Sequence, residues 1–324
     1  MRPLWKDILA AVWLGILLPG IVLQAFVLQE RHRQKPTHTV AQIQMAEDSG
    51  HRITLRDPDG TQVTMDLDTY LTGVLLAEIP AEFHEEALKA QATAARTYAW
   101  KACTTGGKHT DGSICGDSTC CQAYLPEASY LDKGGMEENL EKVRKAVQTT
   151  KDMMLVYDGA LIEATYFSSS GGRTEAAVEV WGTDFPYLQS VSSPETVPEK
   201  TVLFTVSEFQ DFLGKKLSGD PGEWFGQVTY TQGNGVDFLE ICGERYTGLE
   251  LRSLLGLRST DFWIAAGEEG ITVGTNGYGH RVGMSQYGAN TMAEAGFSWQ
   301  EILQHYYPGT QLVPISDTAL TGGA

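Results

Sequence analysis

A carboxylate, a histidine and a group of cysteines are the residues of this chain best placed to do chemistry. Glu78 closes the apolar run Leu75-Leu76-Ala77, and Pro80 forbids the helix to continue, so its carboxyl is expected near a helix C-terminus, facing the turn that follows. A working acid could stand there, and so could an ordinary exposed glutamate. His109, Cys115 and Cys121 are separated by six residues each in a glycine-rich loop, a donor set that suits Zn²⁺ with a fourth position left for water, Asp111, Asp117 or a distant ligand. Cys120 is either a bystander or the ligand in place of Cys121, and a Cys115–Cys120 or Cys115–Cys121 disulfide is the competing account. Cys103 and Cys242 read as small buried apolar residues.

Two polar stretches could hold a ligand. Gly277 to Ala289 interleaves glycines with His280, Ser285, Gln286 and Tyr287, so backbone can approach a ligand while side-chain donors point at it. It lacks the Lys-Ser/Thr ending of a phosphate-binding loop. Ser168 to Thr174 is rich in hydroxyls with no evident base beside them, which fits turn hydrogen bonding or sugar binding better than nucleophilic catalysis.

The elements that must position these residues follow from periodicity. Strands around Asp57-Pro58-Asp59-Gly60 form a hairpin, and Asp68 is expected to cap a helix whose apolar residues Tyr70, Leu71, Val74, Leu75 and Ile79 share a face and deliver Glu78. From Glu85 to about Cys103 an alanine-rich pattern predicts a helix with small residues along it. Arg96 lies on that helix near the apolar stripe, partly buried and in want of an anion. Met153 to Phe167 reads as a second hairpin about Asp158-Gly159. The stretch from about 190 to 257 alternates short strands and helices and reads as an inserted subdomain. The fold class is therefore α+β, with helices and antiparallel sheets around a substrate cleft.

Ile8 to Gln29 carries no charge, and 22 residues at about 1.5 Å each reach about 33 Å, enough to cross a bilayer core. The run is longer than a signal-peptide core, so residues 1–36 are read as an uncleaved membrane anchor with its flank. Residues 37–50 then form a tether, 51–315 the domain that carries the candidate chemistry and 316–324 a flexible tail. The charges flanking the span do not decide orientation. The whole chain carries a net charge of −17, and residues 1–36 hold five of its 24 basic and two of its 41 acidic residues, leaving 19 against 39. Such a surface repels polyanions and argues against a nucleic-acid partner.

Two long motifs carry a resemblance. Ala77-Glu-Ile-Pro80 with Glu86 to Tyr98, and Val282-Gly-Met-Ser-Gln-Tyr-Gly-Ala289 with Ile302 to Thr310, resemble the stage II sporulation protein D family, as do Ser169 to Thr174 and Leu249 to Arg252. Ile79 replaces the commoner methionine, and Arg281 stands where the family usually has glycine. The resemblance implies a membrane-anchored lytic transglycosylase with an extracytoplasmic domain, acting on peptidoglycan during engulfment in endospore formation. Glu78 would be its catalytic residue, and a structural zinc site would be built from a histidine and two cysteines. Its implied partners are the glycan strands, a cell-wall amidase and a small membrane scaffold. Arg96, Tyr98, Ser169, His280, Ser285, Gln286 and Tyr287 are the expected substrate contacts. The rival readings are a non-catalytic peptidoglycan-binding activator of an amidase and a zinc-dependent hydrolase.

Overall fold

The computed structural model describes residues 50–317. Strands β1 (Arg52–Arg56) and β2 (Gln62–Asp66) form the expected antiparallel hairpin. Asp66, not Asp68, caps the helix α1 (Leu67–Glu78): its carboxylate accepts from the Asp68 and Thr69 amides, while Asp68 itself is buried in the first turn. The helix ends at Ile79, which turns to extended backbone because the Pro80 ring disfavours helical geometry in the residue before it. Helix α2 (Glu85–Lys101) follows and is buried on nearly every side. Its alanines let α1 and several later elements pack closely round it, which makes it the axis of the molecule.

The chain continues through β3 (Ile114–Cys115), which pairs parallel to β1, and helices α3 (Glu127–Asp132) and α4 (Glu137–Thr149). Strands β4 (Met153–Tyr157) and β5 (Ala160–Leu161) turn at Asp158-Gly159, both with positive φ, as a two-residue hairpin of matching twist requires. The second strand of this hairpin is shorter than its sequence predicts. The Glu163 amide goes to the Tyr187 hydroxyl, the chain turns, and Tyr166–Phe167 becomes a separate strand, β6.

After α5 (Ala177–Trp181) come β7 (Lys200–Phe204), α6 (Val206–Leu213), β8 (Phe225–Tyr230), β9 (Val236–Ile241), β10 (Glu244–Thr247), α7 (Gly248–Leu254), β11 (Phe262–Gly267) and β12 (Gly270–Thr275). The chain closes with β13 (Met284–Ser285), α8 (Gln286–Glu294), α9 (Trp299–Tyr306) and β14 (Gln311–Pro314). Small sheets run in the orders β2-β1-β3, β10-β9-β8, β11-β12-β7, β13-β6 and β14-β4-β5, antiparallel except for β1 with β3 and β6 with β13. This is the α+β class.

Three apolar clusters hold these layers. One joins α1, α2 and α4 through Leu71, Leu75, Leu88 and Val143; a second joins α2, β4, α8 and α9 through Ala90, Leu155, Ala289 and Ile302. The buried members of the third all fall between Phe204 and Val273, so its elements close a core of their own. Among the described residues no helix is long and apolar enough to cross a membrane. The uncharged stretch at 8–29, the tether up to residue 49 and the tail from 318 lie outside the described residues.

Candidate active cleft

Glu78 is the last residue of α1 and opens, half-buried, into a cleft of about 1190 Å³. One carboxylate oxygen accepts the Ala123 amide at 2.6 Å. Burial pushes the carboxyl above its ordinary value, with the Ala123 amide pulling the other way. Ala123 is held by what precedes it. Gln122 is buried, donates to the Tyr166 hydroxyl at 2.8 Å and to the Ala95 carbonyl at 3.3 Å, and accepts from the Tyr70 hydroxyl at 3.1 Å. The donor to Glu78 is thus fixed through α1, α2 and β6 at once. Glu163 also lines the cleft, but Lys101 pairs with it at 2.6 Å, which leaves Glu78 as the one lining carboxylate among the described residues without a cation.

Beside this segment, His109, Cys115, Cys120 and Cys121 bring their potential ligand atoms within 4.8 Å of one another. The Cys120 sulfur lies 3.7 Å from the His109 Nε2 and 3.8 Å from the Cys121 sulfur. A tetrahedron with metal–sulfur bonds of about 2.3 Å has edges of about 3.8 Å, so the residues fit a four-coordinate metal such as zinc. Burial raises the Cys115 thiol, yet hydrogen bonds from the Asp117 amide, His109 and the other two thiols bring it down to about 7, which favours the thiolate a metal needs. The sequence reading offered Cys120 and Cys121 as alternatives; the fold places both in the cluster. Consecutive cysteines converge because Asp117 caps a tight turn whose carbonyl receives both of their amides.

Asp111 and Asp117, also weighed as ligands, are taken up elsewhere, the first by Arg56, Gln62 and Ser113 and the second by Thr119. All five cysteines are free thiols. Cys103 packs against the first cluster, whereas Cys242 is exposed rather than buried: with Gly243 it supplies the two positive-φ residues of the β9–β10 turn.

Of the expected substrate contacts, Tyr98, His280, Gln286 and Tyr287 line the cleft, and three others do not. Arg96 is fully buried on the opposite side of the helix. Its guanidinium meets Asp68 at 3.3 Å and the carbonyls of Thr150 and Val147 at 2.8 and 3.0 Å, so the anion it wanted is internal and it cannot reach a ligand. Ser169 is buried and pairs its backbone with Tyr278, leaving Ser168 to face the cleft. Ser285 is buried as the cap of α8, accepting the Gly288 amide and donating to Glu195 at 2.8 Å.

His280 is held neutral, pushed down to about 4 by burial and by the charge of Arg252. Its ring lies between Phe167 and Trp181, with centroids at 5.6 and 5.4 Å, and its Nδ1 accepts the Val282 amide. Arg281 adopts φ 65° and turns its side chain away from the cleft into a buried network with Glu175 and Asp261, so its bulk does not obstruct the loop. Trp181, Tyr278, Tyr166 and Arg252 also line the cleft and were not singled out from sequence. Tyr278 had a legible signal: a half-exposed aromatic between two glycines of positive φ. Trp181 arrives from a distant segment and nothing local marks it, whereas Arg252 closes the Leu249 to Arg252 motif, which gives no sign that it faces the cleft.

Residues 60–157 match the family model described as SpoIID, Stage II sporulation protein. The chain is 41% identical over 255 residues to Stage II sporulation protein D of Bacillus amyloliquefaciens, covering 76% of this chain and 74% of that one. The identity and coverage are the same for Stage II sporulation protein D of Bacillus subtilis (strain 168). A protein of the latter organism described as Amidase enhancer is 32% identical over 301 residues, covering 75% of this chain and 40% of its own length.

Proposed function

This chain belongs to the stage II sporulation protein D family, and from that premise we propose that it is a lytic transglycosylase of the peptidoglycan glycan strand. The observation that carries this is the solitary, half-buried carboxylate of Glu78 in a cleft whose other carboxylate is neutralised by a lysine. Hydrolysis of a glycoside normally uses two carboxyl groups about 5–9.5 Å apart, one of them to activate water or attack the sugar. Intramolecular ring closure needs a single group that first gives and then takes a proton.

Glu78, whose protonated form burial favours, donates its proton to the oxygen linking N-acetylmuramic acid to N-acetylglucosamine. The bond from the muramoyl C1 to that oxygen breaks, its electron pair stays on the departing sugar hydroxyl, and positive charge develops at C1. The Glu78 carboxylate then accepts the proton of the muramoyl C6 hydroxyl as O6 bonds to C1, closing a 1,6-anhydro ring and restoring the acid. The Ala123 amide holds the carboxylate between these two transfers. Tyr287 and Trp181 offer partly exposed aromatic faces against which sugar rings can pack, and Gln286 a side-chain amide for their polar groups.

His109, Cys115, Cys120 and Cys121 would hold zinc, which supplies a crosslink for the loop carrying Ala123. Four protein donors leave no open coordination position, which is the pattern of a structural site and weighs against the zinc-hydrolase reading. The placement we propose for the domain is outside the cytoplasm, anchored through residues 8–29 and working in engulfment beside an amidase and a membrane scaffold.

Mass spectrometry of digested glycan tests the reaction: products should end in anhydromuramic acid, lighter by one water than hydrolytic ends. Glu78→Gln, which keeps an oxygen for the Ala123 amide, should abolish them. The similarity to an amidase enhancer favours the second reading, a glycan-binding activator. If that reading holds, Glu78→Gln retains full stimulation of the amidase and the unsubstituted protein releases no anhydro ends.

A further inference from the structure

Four charged side chains line the cleft, and three of them have a partner. Glu78 accepts the Ala123 amide, Glu163 pairs with Lys101, and the Lys108 ammonium donates to the Cys120 carbonyl. Arg252, in the last turn of α7, differs from these. Its Nε reaches the Leu257 carbonyl at 3.4 Å, and among the described residues neither terminal nitrogen of its guanidinium has a hydrogen-bond or ion-pair partner. The two fully buried arginines are treated otherwise, Arg96 being paired with Asp68 and Arg281 with Glu175 and Asp261. Arg173, the other half-buried arginine without a carboxylate, has its guanidinium taken up by Ser190 and the Gln232 carbonyl, whereas the terminal nitrogens of Arg252 are left to the cleft.

Partial burial weakens the solvation of that charge, and the neighbouring His280 is neutral and offers no competing cation. With Glu163 neutralised by Lys101 and ionisation of Glu78 disfavoured by burial, the cleft presents a local positive field inside a protein that otherwise repels anions. The planar fork of a guanidinium matches a carboxylate, with which it forms two parallel charge-assisted hydrogen bonds. On the glycan read above as the substrate, hexose hydroxyls and acetamido groups are neutral. Its carboxylates sit on the substituent at the muramoyl 3-oxygen, either as the bare lactyl group or within a peptide attached to it.

We propose that Arg252 is the carboxylate-binding residue of the cleft, pairing with an anion carried on the 3-oxygen substituent of a muramoyl residue. This rests on the glycan-strand reading of the substrate. It places the muramoyl ring by its charged arm, so the cleft can tell muramoyl residues from glucosaminyl residues, which carry a free, neutral 3-hydroxyl there.

The test measures binding without turnover, using the full chain with Glu78→Gln and calorimetry against four glycans of equal length. These are uncharged N-acetylglucosamine oligomers, muramoyl glycan with free lactyl carboxylates, the same glycan with those carboxylates capped as methylamides, and glycan bearing stem peptides. Carboxylate-bearing glycan should bind at least about tenfold more tightly than its capped form, the size expected of hydrogen bonds to a charged group. Adding Arg252→Gln should collapse that ratio, and Arg252→Lys should recover only part of it. A preference for the free lactyl form identifies that source, and an Arg252-dependent preference for the stem-peptide form identifies the other.

Affinity for both carboxylate-bearing glycans no higher than for the capped form overturns the proposal. So does a preference that survives Arg252→Gln. Should Arg252→Gln fail to fold, the comparison of free with capped glycan and the Arg252→Lys protein still decide. Failure of the transglycosylase reading appears separately, as absent anhydro products from the protein with Glu78 intact.

Discussion

The Glu78 carboxyl is held where ionising it is disfavoured, which fixes how both activity and stability change with pH. As a general acid it works while protonated, so activity should fall as pH rises through its raised folded value, and the profile should extend higher than a carboxyl of ordinary value 4.5 would allow. For stability, a carboxyl raised in the folded state is neutral in both states below its unfolded value, and its contribution is lost as pH rises through the folded value. Glu78→Gln should therefore lower the rate of anhydro-end release by about 10²–10⁴-fold while raising the melting temperature at neutral pH and leaving it unchanged in acid. A variant less stable than its parent at neutral pH would show that the carboxylate is structurally satisfied rather than poised. Arg96 makes the contrasting case. Arg96→Ala strands the buried Asp68 and should cost about 3–5 kcal/mol in denaturant unfolding. At a temperature where the variant stays folded, its glycan affinity should match the parent's, which a substrate contact could not tolerate.

Helices α1 and α2 were legible in the sequence because a 3.6-residue pattern, a proline stop and an alanine-rich face are local signals. Periodicity names a buried face, but not the neighbour that covers it. That is why Arg96 read as a ligand contact when its partners come from α1 and the end of α4. Hydroxyl-rich loops are equally ambiguous: Ser169 and Ser285 have the composition of a sugar site and serve instead to tie loop backbone and cap a helix. Ser168, Trp181 and Arg252 reach the cleft through pairings such as β6 with β13, which link residues more than a hundred positions apart. The cysteine loop lies between these extremes, since spacing marked a donor cluster and the tight turn at Asp117 decided its membership. Protein purified without added metal should contain about one zinc per chain, as a four-donor site implies. Cys120→Ser and Cys121→Ser should each lower that content, and Cys242→Ser should not. Chelation should raise hydrogen exchange at residues 109–123, the Ala123 amide included, ahead of α2. Exchange that rises uniformly over the domain, or not at all, would show that the cluster does not hold this loop.

The cleft is walled by different cores. Glu78 and Tyr166 belong to the part built round α2, whereas Arg252 rises from α7, which packs into the cluster of residues Phe204 to Val273. What joins the two walls is a buried polar seam centred on Arg281. Its guanidinium meets the Ser170 carbonyl at 2.7 Å, the Arg173 carbonyl at 3.0 Å, and Glu175 and Asp261 at 3.2 Å each. Glu175 in turn accepts from the Thr231 hydroxyl at 2.8 Å and the Gly235 amide at 3.0 Å. This arginine also holds a left-handed backbone, φ 65°, so Arg281→Gly relieves strain worth about 1 kcal/mol while leaving the buried Glu175 and the half-buried Asp261 without their cation. Breaking a buried pair by removing one partner costs about 3–5 kcal/mol, so the loss outweighs the relief and the glycine protein should be less stable by about 2–4 kcal/mol. Hydrogen exchange should locate the weakening at residues 231–235 and 259–261, on the far side of the seam, with the interior of α2 protected as before. The distance between walls sets how a glycan is gripped more than how Glu78 transfers its proton, so KM for glycan should rise with kcat little changed. A glycine variant as stable as the parent, with unaltered KM, would mean that the apolar clusters alone hold the walls at their spacing.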